Sequence, residues 1–229
     1  MQAHEKIISE TVKRFLVPEG FFQKGSSRIW LEDRGYYFIL VEFQPSTFAK
    51  GAYLNVGVSF LFETNSDLDS TLPYDIGGRI SGFVEYRDDI TFQKEMERFA
   101  ALAMKQVRAY RKLDKLDHAQ KLLQKAARRK SNATVGWDLY HLAMISFLQG
   151  SYDKGTKAME AFLSTIPPES QIPWHMSIHN YCTQTLMPMC RTRESAQNMV
   201  EDMVNQRRNY FISKPSYKKM SGTYSVSSW

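Results

Sequence analysis

The stretch from Tyr53 to Phe62 reads YLNVGVSFLF and decides the first half of the fold. Apolar residues at Leu54, Val56 and Val58 alternate with Asn55, Gly57 and Ser59. A period of two is typical of a β-strand that buries one face, and short strands around it would complete a sheet. The stretch therefore predicts a strand at the centre of a sheet.

Three further segments with strand-like patterns lie on either side of this stretch. They are 26–32, 36–43 and 78–86, and Asp33-Arg34-Gly35 has the composition of a hairpin turn between the first two. Short strands with short connections favour antiparallel pairing. We therefore predict a four-stranded antiparallel sheet.

The period changes to about 3.6 residues from Thr91 onward, which indicates helices. Phe92, Met96, Phe99, Ala103, Val107 and Tyr110 mark one face of a long helix. Strands followed by helices, with a further helix at the N-terminus, are typical of an α+β fold. The predicted helices are 2–16, 92–114, 116–130, 134–149, 151–164, 174–187 and 193–211.

These patterns suggest three regions in the 229-residue chain: a sheet domain (1–110), a helical-hairpin region (111–211) and a basic, aromatic tail (212–229) that either docks or is disordered. The chain has 30 Lys and Arg residues against 24 Asp and Glu. Residues 1–90 hold 9 basic and 13 acidic side chains, whereas residues 91–130 hold 12 basic and 4 acidic ones. The basic excess is therefore concentrated in the segment that begins the helical half and in the tail.

The sequence has neither an apolar signal segment at its start nor a long apolar run, so we expect a cytoplasmic protein without a membrane span. In that compartment Cys182 and Cys190 would remain free thiols, whereas an oxidising compartment would allow them to pair.

The motifs of the sequence indicate no particular chemistry. The glycine-rich phosphate loops and the G-x-S-x-G nucleophile pattern are missing from the sequence. His175, His179 and Cys182 have the spacing of shared metal ligands, but Met176 stands where a zinc protease motif requires glutamate. We therefore predict no cofactor, no metal site and no catalytic residues.

Polar residues on the sheet form the first candidate binding site. If Gln44, Ser46, Asn55 and Ser59 lie together on an open face, they would make an uncharged patch suited to a peptide or protein partner.

Basic residues at helical spacing form the second candidate. Such a stripe could attract nucleic-acid phosphates or an acidic protein, although a solvated helix face is the more common explanation. Its residues are Lys105, Arg108, Lys112, Lys115, Arg128 and Arg129.

Three short motifs in the N-terminal half carry a family resemblance. GFFQKG at 20–25, FQPS at 43–46 and YLNVGV at 53–58 resemble the bacterial family called domain of unknown function 4304, over roughly residues 5–110. The resemblance implies a small α+β protein with an N-terminal helix, an antiparallel sheet and closing helices, and it brings no catalytic residues. Pro45 departs from the basic residue often found at its position in that family.

The helical half resembles a tetratricopeptide repeat between Leu139 and Pro167, with Gly150 and Gly155 at that repeat's small positions. An ordinary helical bundle remains the alternative. Together these features predict a bacterial protein-interaction or binding module. The alternatives are nucleic-acid binding through 105–130 and an enzyme with a cleft between the two halves.

Overall fold

The computed structural model describes residues 2–62, 72–128, 136–167, 169–217, 219–220 and 222–226. It shows an N-terminal helix, an antiparallel sheet and then a series of helices, which confirms the predicted α+β class. Among the described residues, no helix combines the length and the apolar character that crossing a membrane would need.

The described chain divides into two compact units. The sheet unit takes its residues from Met1–Leu61, Asn65–Arg111 and Arg208–Gly222, and the helical unit from Phe62–Thr64, Lys112–Arg207 and Thr223–Trp229. The predicted regions differ from this division because residues 208–222 return to the sheet unit, whereas Phe62–Thr64 and Thr223–Trp229 belong to the helical unit. This return depends on contacts between residues that are distant in sequence, and local sequence patterns do not show such contacts.

Among the described residues of the sheet unit, six strands form one sheet. The strands run in the order β1-β2-β3-β4-β5, all neighbours are antiparallel, and β6 also pairs with β4. The bounds are β1 Phe22–Gln23, β2 Ile29–Asp33, β3 Tyr37–Pro45, β4 Gly51–Phe60, β5 Ile76–Arg79 and β6 Val84–Glu85.

The predicted count of four strands is too low for two reasons: β1 was not predicted, and the segment 78–86 does not form one strand. It contributes the end of β5 and the whole of β6, and both pair with β4. Between them the chain leaves the regular ladder, and the Ser81 hydroxyl accepts a hydrogen bond from Leu54 N at 3.0 Å. A side chain thus satisfies a strand amide where the backbone ladder is interrupted.

Two helices cover one face of this sheet, α1 (Ala3–Leu16) and α2 (Asp89–Tyr110). Asp88 caps α2 by accepting a hydrogen bond from Thr91 N at 2.8 Å. All six apolar residues predicted for the inner face of α2 are buried. Phe99 on α2 packs against Phe43 on β3, with ring centroids 6.2 Å apart.

The opposite face of the sheet is covered at one end by residues 208–222. Phe211 and Tyr217 pack against Phe38 on β3, with ring centroids 5.6 and 6.3 Å away. Arg208 is 2% exposed, and its guanidinium donates to both carboxylate oxygens of Asp33, at 2.6 and 2.9 Å. The part of the predicted tail that the structure describes in this unit is therefore docked on the sheet.

The helical unit is built around α4, because Tyr140 to Leu148 are all buried. Gly155 on α5 lies so close to α4 that an added Cβ would be 2.4 Å from the Phe147 ring. The two helices therefore form a tight hairpin, whereas a tetratricopeptide repeat array stays a prediction. The helix bounds are α3 Leu116–Ala127, α4 Trp137–Leu148, α5 Tyr152–Leu163, α6 Pro173–Tyr181, α7 Met187–Met189 and α8 Arg193–Ile212.

The predicted helix 174–187 is divided in the structure. A π-helical turn, Cys182–Leu186, separates α6 from α7. Pro188 has no N–H to donate and its ring would clash with a carbonyl one turn earlier, so the regular α pattern cannot continue through it.

Candidate functional site

A group of polar and aromatic side chains lies on the sheet face opposite α1 and α2, beyond the end that residues 208–222 cover. Their strands are in register, since Glu42 pairs with Asn55, Gln44 with Tyr53, and Asn55 with Arg79. Alternate residues of paired strands share one face, which brings the group together. We call it the polar patch and define it as Glu42, Gln44, Tyr53, Asn55, Tyr74 and Arg79.

Asn55 is the buried centre of the polar patch. Only 5% of the residue is exposed. Its amide nitrogen donates to Glu42 Oε2 and to Gln44 Oε1, both at 2.8 Å. These bonds hold two neighbouring side chains of β3 in fixed positions.

Arg79 forms the exposed part of the patch. Its guanidinium lies over the Tyr53 ring, 3.9 Å from the ring centroid, and its Nη2 donates to Gln44 Oε1 at 2.7 Å. Tyr53 in turn packs against Phe83 with ring centroids 5.1 Å apart. The result is an arginine held in place on an aromatic base, a cation–π arrangement that keeps the guanidinium accessible.

Tyr74 closes the other side of the patch, and Gly57 makes room for it. A Cβ at Gly57 would lie 2.5 Å from Tyr74 Cδ1, so only glycine permits this approach. The Tyr74 hydroxyl donates to Glu42 Oε2 at 3.1 Å. Burial, together with the nearby Glu42 carboxylate, raises the pKa of Tyr74 well above its ordinary value.

The structure places the four polar residues predicted for the sheet in different surroundings. Gln44 and Asn55 lie together as expected. Ser59 is opposite Phe38 on the covered half and is 1% exposed, while Ser46 lies past the end of β3, where its hydroxyl accepts from Phe48 N at 3.1 Å. The polar patch observed in the structure therefore contains two of the four predicted residues.

The expectation of an uncharged patch is wrong, because Glu42 and Arg79 belong to it. Glu42 could have been found from its alternation with Gln44 along the strand. Arg79 and Tyr74 could not have been placed, since Arg79 ends the short β5 and Tyr74 precedes it.

The basic residues of α2 lie on one exposed side of that helix. Lys105 and Arg108 are exposed, and so are Lys94 and Arg98. On a helix of 3.6 residues per turn these four positions fall within an arc of about 80°. The sheet unit thus carries a basic stripe, which we define as Lys94, Arg98, Lys105 and Arg108.

The other predicted basic residues belong to the helical unit. Lys112, Lys115 and Arg128 are exposed there, at and around α3. Lys121 and Lys125 are also exposed and share one side of α3 with Arg128. Arg129 lies outside the described residues.

His175 and Cys182, two of the three residues with the spacing of metal ligands, have other surroundings in the structure. His175 Nδ1 is 2.6 Å from the Ser170 hydroxyl. Cys182 and Cys190 are buried free thiols, and burial raises their pKa values to about 12 and about 11. Within the part of the chain that the structure describes, no group of three or more His, Cys, Asp or Glu side chains has a metal-binding arrangement.

Comparisons with protein-family models, curated proteins and solved structures found no match to this chain. The two family resemblances therefore stay predictions.

Proposed function

We propose that the protein is an interaction module that binds a protein or peptide partner on the polar patch. The observation that carries the proposal is the stack of Arg79 on Tyr53, which Gln44 holds in place. Arginine and tyrosine are enriched among the residues that dominate binding energy at protein interfaces.

The order already present in the patch also supports this function. Asn55 and Gln44 fix the side chains before any partner arrives, so binding would lose little further rotamer entropy. Arg79 is exposed, and in the described chain its Nη1 has no hydrogen-bond partner. An acidic side chain of the partner could accept from this free edge in a charge-assisted hydrogen bond.

Site-specific crosslinking tests the proposal. Phe83 packs on Tyr53 at the patch, so we would replace it with the photo-crosslinker p-benzoylphenylalanine and irradiate cells that produce the protein. The control carries the same crosslinker in place of Ile90, which is 73% exposed at the start of α2. We expect a discrete crosslinked partner from position 83 that Arg79→Ala removes and Arg87→Ala retains. Equal crosslinking from both positions, or insensitivity to Arg79→Ala, would contradict the proposal.

The basic stripe on α2 favours a second candidate function, nucleic-acid binding. Four exposed cations on one side of a helix can follow a phosphate backbone, and their affinity would depend strongly on salt. We would measure the anisotropy of labelled single-stranded RNA and duplex DNA between low and physiological salt.

For this second candidate, the variant Lys105→Glu/Arg108→Glu should weaken binding and lower the log–log salt slope for duplex DNA by about 2. The control Lys50→Glu/Arg87→Glu makes the same charge change at exposed residues outside the stripe. If both double variants weaken binding equally, the protein binds nucleic acid only through its net charge.

A further inference from the structure

One surface segment of the helical unit contains no Asp, Glu, Lys or Arg. It runs from Ser170 to Cys190, and a stretch of 21 residues would hold about five charged residues at the 24% average of this chain. The segment forms α6, the π-helical turn Cys182–Leu186 and α7, and eleven of its residues are exposed. Burial in the described chain therefore does not account for the missing charges.

The exposed residues of this segment share one side of the helix. The opposite side is buried, at His175, Cys182, Leu186 and Cys190. Every fourth residue forms a ridge along a helix, and two such ridges are exposed here. With Trp174 they make up what we call the uncharged helix face: Trp174, Met176, Ser177, Asn180, Gln184, Thr185, Pro188 and Met189.

Large apolar side chains lie at both ends of the uncharged helix face. Trp174 and Met176 are 44% and 39% exposed at its N-terminal end, and Met189 is 51% exposed at its C-terminal end. With Ile172 they are four of the eight large apolar side chains exposed in the part of the chain that the structure describes. Trp174 is held in place by stacking on Trp137, with ring centroids 5.9 Å apart. Few charges and an excess of Trp and Met are typical of the centre of a protein interface.

The charges on either side of the segment indicate which protein covers this face. The first charged residue before it is Glu169 and the first after it is Arg191, and both are exposed. If a second copy lies antiparallel across the face, Glu169 of each copy lies beside Arg191 of the other. A two-fold axis presents the same surface twice, and a face without charges opposes no like charges there. The segment is therefore complementary to itself in charge.

We propose that the protein forms a two-fold symmetric dimer in which the uncharged helix faces of two copies pack antiparallel. The Trp174 end of one copy then meets the Met189 end of the other, which allows a favourable contact between sulfur and an aromatic ring. The face is about 22 Å long, and one helix pair of that length buries less than the roughly 800 Å² per partner of a standard interface. The dimer therefore dissociates in the micromolar range. Its residues are separate from the polar patch, so the proposal does not depend on the partner proposed there.

Sedimentation equilibrium of the full chain, from about 1 to about 200 µM, tests for this dimer. Met189→Lys should weaken dimerisation at least tenfold, because it places a cation in each apolar contact. The control Ile90→Lys adds the same charge at an apolar residue that is 73% exposed outside the face, and should change nothing. A chain that stays monomeric over this range would overturn the proposal, whether or not it binds phosphatidylcholine vesicles instead. Equal effects of the two variants would also overturn it.

Charge reversal tests the antiparallel arrangement. Glu169→Arg and Arg191→Glu each place like charges opposite each other at two symmetric positions, so each should weaken the dimer by about threefold or more at low salt. The double variant Glu169→Arg/Arg191→Glu restores opposite charges and should recover the dissociation constant of the wild type. Single variants without effect, or a double variant as weak as the single ones, would overturn the antiparallel dimer.

Discussion

Two halves of one sheet face differ in what covers them. At Phe38 the face is closed by Phe211 and Tyr217, and the charge of Arg208 is buried against Asp33. Only four to six residues further along β3, Glu42 and Gln44 are half-buried and take part in a network of polar side chains. On this face β3 presents apolar Phe38 and Leu40 in the covered half and polar Glu42 and Gln44 in the other half, and the returning segment 208–222 packs on the apolar half.

The polar groups of the two halves have different roles. In the covered half, the ion pair of Arg208 and Asp33 is largely buried, with 2% and 18% of the side chains exposed, and its loss would destabilise the fold. In the polar patch, hydrogen bonds order side chains that still reach solvent, which is the condition for recognising a partner. Substitutions in the covered half should therefore affect stability, and those at the edge of the patch should affect binding.

The largest expected effect is that of Arg208→Ala. The substitution removes the guanidinium that donates to both carboxylate oxygens of Asp33 and to the Gly35 carbonyl, so we expect the free energy of unfolding to fall by about 3–5 kcal/mol. Urea unfolding at pH 7 measures it. The control is Arg98→Ala, which breaks an exposed pair with Glu95 and should change stability by less than about 1 kcal/mol. If the two variants lost the same free energy of unfolding, the buried pair of Arg208 and Asp33 would stabilise the fold no more than the exposed pair of Arg98 and Glu95.

Asn55→Ala should have the next largest effect. It removes the amide that donates to both Glu42 and Gln44 at the buried centre of the patch, and we expect a loss of about 1–3 kcal/mol. Ser46→Ala, outside the patch, is the control. If Asn55→Ala were as harmless as Ser46→Ala in urea unfolding, the network would not be the source of the order in the patch.

Tyr74→Phe should change the pH dependence of stability. In the folded chain the pKa of Tyr74 is raised, so the protonated form is favoured, and its stabilisation is complete below the unfolded pKa of about 10 and falls as the pH rises above it. At pH 7 the variant should be about 1 kcal/mol less stable, because it lacks the bond to Glu42. The difference in the free energy of unfolding between the wild type and Tyr74→Phe should narrow between pH 9.5 and pH 11. If the two free energies changed in parallel with pH, the raised pKa of Tyr74 would be contradicted.

Arg79→Ala should have the smallest effect on stability, within about 0.5 kcal/mol, because the side chain is exposed. A loss well above 1 kcal/mol would mean that Arg79 supports the fold, and its loss of partner crosslinking could then not be assigned to contact. Arg87→Ala, measured in the same denaturation series, supplies the reference for removing an exposed arginine.

Local pattern was enough to predict several elements correctly. The alternation in 53–62 predicted β4, and the 3.6-residue period from Phe92 to Tyr110 predicted the buried side of α2. The turn at Asp33-Arg34-Gly35 was also predicted, and Gly35 adopts a positive φ of 79° there while its N–H donates to Asp33 Oδ1. These features depend on neighbours a few residues apart, which a single sequence displays.

Features that needed distant residues were not predictable in the same way. The division of 78–86 into β5 and β6 depends on Ser81 meeting Leu54, and the position of Tyr74 depends on the space above Gly57. For the same reason Arg79 was not identified as a partner of Gln44 and Asn55, whereas Glu42 was missed although its alternation with Gln44 places both on one face of β3.

The amino-acid order alone settles which residues of β3 and β4 share a face, since side chains alternate along any strand. It does not settle which segment covers the apolar half of that face. That outcome depends on Arg208, 175 residues from Asp33, finding its carboxylate in the folded chain. Long-range pairing of this kind requires a particular arrangement of backbone between the two residues, and only the tertiary structure supplies it.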